Sequence, residues 1–169
     1  FINPYTPINQ QRAFLEAVQS GFEVYSWIGF ADSEGVVHVS TDGLLEGEDV
    51  STQPWFANGI RAPYIGELHG DAALESLLPR TGNAPIQFLD IAMPVYRDGE
   101  WVGVLGAHLN WAWLSDVIRA SNQNNTSILP EDHADVFILN QDGYVIMDSL
   151  PLSKAVVSVP YALNLSEII

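Results

Sequence analysis

Two polar residues sit where apolar ones belong. His108 lies in Gly103-Val104-Leu105-Gly106-Ala107-His108-Leu109, and Asp90 in Phe88-Leu89-Asp90-Ile91-Ala92. A carboxylate in an apolar strand is costly unless it is paired or hydrogen-bonded. Asp90 therefore either binds backbone N–H groups or an arginine such as Arg61 or Arg97, or takes a donor group from a ligand. By strand alternation His108 shares a face with Val104 and Gly106, and the small Gly106 leaves space beside it. It is either a core histidine with a satisfied hydrogen bond or a polar group in a pocket. Within hydrogen-bond reach of each other, the two would also make an acid–base pair. Ligand pockets are largely aromatic walls with a few placed polar groups. Trp55, Tyr64 and Tyr25 supply such a wall, with Gln53, Arg61, His69 and Asp71 as further polar groups. Trp27, Trp101, Trp111 and Trp113 read as core.

Other chemistry is thinly represented. There is no Gly-x-x-x-x-Gly-Lys, no Gly-x-Gly-x-x-Gly, no nucleophile elbow and no His-Glu-x-x-His, so no enzymatic activity is expected. The four histidines, His38, His69, His108 and His133, are scattered; a metal site would need at least two of them to converge with carboxylates. The expectation is no metal and no cofactor. With no cysteine, disulfides, thiolate catalysis and iron–sulfur clusters are out. Lys+Arg number 6 against 21 Asp+Glu in 169 residues, a net charge of −15. That balance removes the electrostatic term that dominates nucleic-acid affinity and disfavours anionic lipid surfaces. The longest uncharged run, Trp101 to Ser115, is too short to cross a bilayer, which takes about 20 apolar residues. The start at Phe1 reads as a piece of something longer.

The elements that must position these residues follow from periodicity. Phe14, Leu15 and Val18 fall at helical spacing within Asn9 to Gln19, and Gly21 stands where a C-terminal cap would. Tyr25–Ala31, the turn Asp32-Ser33-Glu34-Gly35 and Val36–Ser40 read as a hairpin. A second hairpin runs Leu89–Tyr96, Arg97-Asp98-Gly99, Glu100–Leu109. A third runs Asp135–Leu139, Asn140-Gln141-Asp142-Gly143, Tyr144–Met147. The first and third align over Phe30–Val37 and Ile138–Val145, which suggests two copies of one module. Between the first two hairpins the pattern is helical and loopy, with short helices over Pro54–Ile60, capped near Thr52 or Gln53, and over Ala72–Leu78. Trp111 to Ala120 is helical again, and Ser121 to His133 reads as a linker. The predicted class is α+β, an antiparallel sheet with helices before, inside and after it.

Four segments in order resemble a known family. Gly43-Leu44-Leu45-Glu46-Gly47-Glu48-Asp49-Val50-Ser51 followed by Pro54-Trp55-Phe56 is similar to a segment of extracellular Cache sensor domains. Pro63–His69, Leu89–Val95 and Gly103–Trp111 continue the pattern, so the resemblance spans about Tyr25 to Leu114. It implies a PAS-like fold, a central antiparallel sheet preceded by an N-terminal helix. It also implies a place outside the cytoplasmic (inner) membrane, between transmembrane helices of a receptor with a histidine kinase, diguanylate cyclase or chemotaxis output. Residues 1–121 would be the membrane-distal module, 122–134 a linker and 135–169 the start of a second, truncated or membrane-proximal module. A small-molecule ligand would bind in the distal module, against Trp55, Tyr64, Asp90 and His108, with Gln53 and His69 behind them. In the amino-acid-binding branch, an Arg and an Asp stand where this chain has Gln53 and His108. A neutral amide lacks the bidentate charged grip of Arg, and both departures argue against an amino-acid ligand. A homodimer is compatible with this reading; the alternative is a ligand-free structural, dimerisation or partner-protein interaction module.

Overall fold

The computed structural model describes residues 5–79, 86–124, 137–139 and 145–148. By its contacts the chain divides into two units, 1–114 and 115–169. The first unit opens with helix α1 (Ile8–Gly21), followed by β1 (Tyr25–Asp32) and β2 (Val37–Ser40). A 3-10 turn, Thr41–Gly43, precedes α2 (Pro54–Gly59) and β3 (Tyr64–His69). Helix α3 (Ala72–Leu77), the long hairpin β4 (Phe88–Arg97) and β5 (Glu100–Asn110), and α4 (Trp111–Asn124) complete the series. Strands β6 (Phe137–Leu139) and β7 (Val145–Asp148) pair antiparallel as the third predicted hairpin; its turn lies outside the described residues. No helix among the described residues is long and apolar enough to cross a membrane.

The five strands β1–β5 form one antiparallel sheet in the order β2-β1-β5-β4-β3, which bears out the α+β, PAS-like expectation. Turn chemistry sets both hairpins of this sheet. The Asp32 carboxylate accepts from the N–H groups of Glu34 (2.9 Å) and Val36 (3.1 Å), while Gly35 takes φ +85°. Asp98 and Gly99 take φ +52° and +86°, the pair of left-handed residues that a two-residue hairpin turn demands.

Each face of the sheet has its own core. On one face, Leu15 of α1 packs with Ile28, Phe30, Val39 and Ala107. On the other, Trp27, Ala31, Val37, Val50, Trp55, Phe56, Leu74, Phe88, Ala92 and Val104 form the larger cluster. Fully burying a side chain of this size contributes about 1.5–3 kcal/mol, so the second face dominates stability.

Three sequence expectations change. Phe14 is 49% exposed, because the inner face of α1 is shared between Leu15 and the buried amide of Gln11, whose Nε2 donates to the Thr6 carbonyl at 2.8 Å. Gly21 ends α1 as a helical residue, and the chain leaves through extended Phe22 rather than through a left-handed glycine cap. The stretch after Pro63, expected to be helix or loop, contains the edge strand β3.

Candidate functional site

Asp90, the third residue of β4, is 3% exposed and faces the larger core between Phe88 and Ala92. Among the described residues its partners are neither backbone N–H groups nor arginines; Arg61 and Arg97 are exposed. Asp90 Oδ1 is in close contact with Nδ1 of His108, 2% exposed on β5, directly across the ladder. His69 Nε2, on β3, lies 2.8 Å from the same oxygen. Three neighbouring strands thus bring two imidazoles and a carboxylate together, their ligand-type atoms all within 4.8 Å of one another.

Two bulges make this convergence possible. Beside the turn, Arg97 pairs with Glu100 and Tyr96 with Trp101, a register that continued unbroken would set Asp90 opposite Ala107 and put His108 on the other face. Instead Val95 pairs with Gly103. The extra residue on β5 shifts the ladder by one and turns His108 toward Asp90. Gly103 sits there at φ +151°, where a Cβ would lie 2.1 Å from the Ala31 carbonyl oxygen. On β3 the register slips between Ile65 and Leu68, which moves His69 from the face of Ile65 to that of Tyr64 and Asp90. Gly66 occupies this bulge; a Cβ on it would come within 3.1 Å of Asp90 Cβ and 3.2 Å of Tyr64 Cε1.

Aromatic rings enclose the triad. Trp27 lies over His108 with ring centroids 5.1 Å apart, and Phe88 is 5.6 Å from it. Trp55 meets Trp27 edge-on at 5.8 Å and Phe56 at 5.9 Å. The room that Gly106 leaves is taken by Trp55, since a Cβ there would be 2.5 Å from the indole Cε3. The space expected beside His108 is therefore closed in this structure. Tyr64 packs half-buried at the edge of the same core. Gln53 is exposed and supplies the N-cap position of α2 without a side-chain cap bond, so its amide is not part of the cluster. Asp71 is spent as the N-cap of α3, accepting from Leu74 N at 2.9 Å. Tyr25 belongs to the opposite face.

The charges of the triad support one another. Burial pushes the Asp90 carboxyl up, but the hydrogen bond and charge of His108, followed by those of His69, hold it below the ordinary carboxylate value. Burial also opposes charge on His69; Asp90, the Gly70 carbonyl and Asp71 outweigh it and raise the imidazole above its ordinary value. The Tyr64 phenol is raised by burial first and by the Asp90 charge second. His69 Nδ1 faces the Gly70 carbonyl at 3.2 Å, and its Nε2, shut off from solvent, faces Asp90 Oδ1 at 2.8 Å.

No protein-family model matches the sequence, and no curated protein matches it. Solved structures do match in fold. The sensory domain of the Campylobacter jejuni chemoreceptor Tlp3 with isoleucine bound aligns at TM-score 0.63 and 15% identity, covering 99% of this chain and 62% of that one. The sensor domain of the V. cholerae histidine kinase DctB aligns at TM-score 0.52 and 16% identity, over 85% of this chain and 49% of that one. The ligand-binding domain of the Pseudomonas aeruginosa PAO1 amino acid chemoreceptor PctC in complex with GABA aligns at TM-score 0.51 and 20% identity, over 71% and 52%. The chain thus spans about half to three-fifths of the length of these structures. In fold, this chain is thus similar to the sensor and ligand-binding domains of these receptors.

Proposed function

We propose that this chain is the extracytoplasmic ligand-sensing part of a transmembrane receptor, anchored by flanking helices and feeding a kinase, cyclase or chemotaxis output. The observation that carries the reading is the buried Asp90–His108 contact with His69 beside it, framed by Trp27, Trp55 and Tyr64. Polar groups gathered under aromatic rings, on the core face of one sheet, are what recognition of a small ligand requires. The similar structures include complexes with isoleucine and with GABA, which supports the use of this fold for small ligands. Asp90 would take a donor group of the ligand, with Trp55 and Tyr64 against its apolar part. Entry requires Trp55 to leave Gly106, and ligand stabilises the open packing only by its differential affinity for it.

The test is a thermal-shift screen against amines, amino acids, organic acids and sugars. A ligand at about 100 times its Kd adds nearly 2.7 kcal/mol of stability. A melting-point rise that disappears in the near-isosteric Asp90→Asn supports the reading. The closed packing of Trp55 favours a second one, a ligand-free dimerisation or partner-binding module. A folded protein silent to the whole screen would select it.

A further inference from the structure

We propose that His69, Asp90 and His108 form a binding site for a divalent first-row transition-metal ion of the zinc type. The proposal rests on the sensing reading in that it names a ligand class for the same site.

The donor set is the first argument. Two imidazole nitrogens and one carboxylate oxygen suit zinc, nickel or copper, whereas magnesium and calcium demand mainly oxygen ligands. The three atoms lie within 4.8 Å of one another, and zinc–ligand distances of about 2.0–2.2 Å fit that spacing after small side-chain rotations. The donors come from β3, β4 and β5 of one sheet, so the backbone holds them in place. Three protein ligands leave a coordination position for water or an exogenous group.

The second argument is the state of His69. With Nδ1 donating to the Gly70 carbonyl, Nε2 carries the lone pair in the neutral ring. That arrangement, the far ring nitrogen tied to a carbonyl, is the usual support of a metal-bound histidine. Nε2 is buried, with the Asp90 carboxylate oxygen 2.8 Å away. A lone pair facing a carboxylate is repulsive until a cation stands between them. The cation that satisfies both is either a second proton on His69 or a metal ion.

The experiment is a calorimetric titration of the chelator-stripped chain with zinc chloride, with magnesium chloride as control. We expect one zinc per chain and no magnesium binding. His69→Ala, chosen because its side chain is 35% exposed on an edge strand, and Asp90→Asn should each weaken zinc at least tenfold while circular dichroism shows an intact sheet. Cobalt bound to the wild type should give the intense visible bands of a four- or five-coordinate site, and these should vanish in both variants. Absence of zinc binding by the folded protein, or equal binding by both variants, overturns the proposal. An organic ligand that binds the metal-free chain through Asp90, with zinc inert, overturns it and leaves the sensing reading standing. Zinc binding without any organic hit retains the metal site and removes the small-molecule reading.

Discussion

Gly106 and Trp55 are a fitted pair: the indole Cε3 occupies the place of the side chain that Gly106 lacks, 2.5 Å from where a Cβ would stand. The opposite strand repeats the device, with a Cβ at Gly29 only 2.2 Å from Trp27 Cζ2. Because Gly29 and Gly106 pair directly, two adjacent glycines form the floor on which both indoles rest. Gly106→Ala should cost about 1–3 kcal/mol, as overpacking of a tight core does. It should also red-shift tryptophan fluorescence as Trp55 moves toward solvent. Urea unfolding and emission spectra test this; an unchanged midpoint would show that the ring is not seated there.

Stability should peak in mildly acidic solution. The folded pKa of Asp90 lies below its reference of 3.8. Its contribution is present in full above that reference and is lost as pH falls through the lowered folded value. The folded pKa of His69 lies above 6.5, so its contribution is complete below 6.5 and is lost as pH rises through the raised value. Unfolding midpoints measured from pH 3 to 9 should therefore fall off on both sides of a window from about 4 to 6.5. Asp90→Asn should flatten both limbs, since it removes the partner of each shift; a retained profile would assign the pH dependence elsewhere.

Helix α1 is fastened to the β2 end of the sheet through one carboxylate. Glu46 receives Arg12 Nη2 at 2.7 Å and Nε at 3.2 Å, and its Oε1 also accepts from the Ser40 backbone N–H at 2.9 Å. The ion pair is partly exposed, so Arg12→Ala should cost only about 0.5–1 kcal/mol and lose its effect in high salt. Glu46→Ala should cost about 1 kcal/mol more, because it also strands the Ser40 N–H. Denaturation of both variants at low and high salt separates the two contributions.

Gly103→Ala should be more damaging than any other glycine-to-alanine change on β5. Its backbone angle of φ +151° and the Ala31 oxygen 2.1 Å from the would-be Cβ force either strain, about 1–3 kcal/mol, or loss of the bulge. Losing the bulge separates His108 from Asp90. Proton NMR titration of the histidine rings should then show the His69 midpoint returning toward its ordinary value as Asp90 is drawn away; unaltered titration in a folded variant would mean the register survives.

Much of the fold was legible in the sequence. Asp32 to Gly35 and Asp98-Gly99 announce their turns because only a few residue types adopt those angles, and the flanking apolar runs then define β1, β2, β4 and β5. Pro54 marks the start of α2 for the same kind of reason. Strand β3 was not visible: Gly66 and Glu67 interrupt its pattern, and an edge strand with one pairing partner needs no continuous apolar run. The site was partly legible. Asp90, His108 and His69 stood out individually as polar groups in strands or aromatic segments, yet nothing in their spacing joins them. Strand arithmetic from the Asp98-Gly99 turn even places Asp90 and His108 on opposite faces. Gln53 and Asp71 misled because capping positions and ligand positions favour similar polar side chains, and only the fold says which role is taken.

Both histidines reach Asp90 by virtue of one surplus residue in their strand. The site is therefore a property of residue count as much as of residue identity. Removing a single codon from β3 or β5, anywhere between the bulge and the pairing that follows it, would rotate an imidazole to the far side of the sheet while every residue of the triad stayed in the gene. In a lineage of such domains, the triad can be gained or discarded by insertion and deletion alone, and an alignment that scores only substitutions would pass over the event.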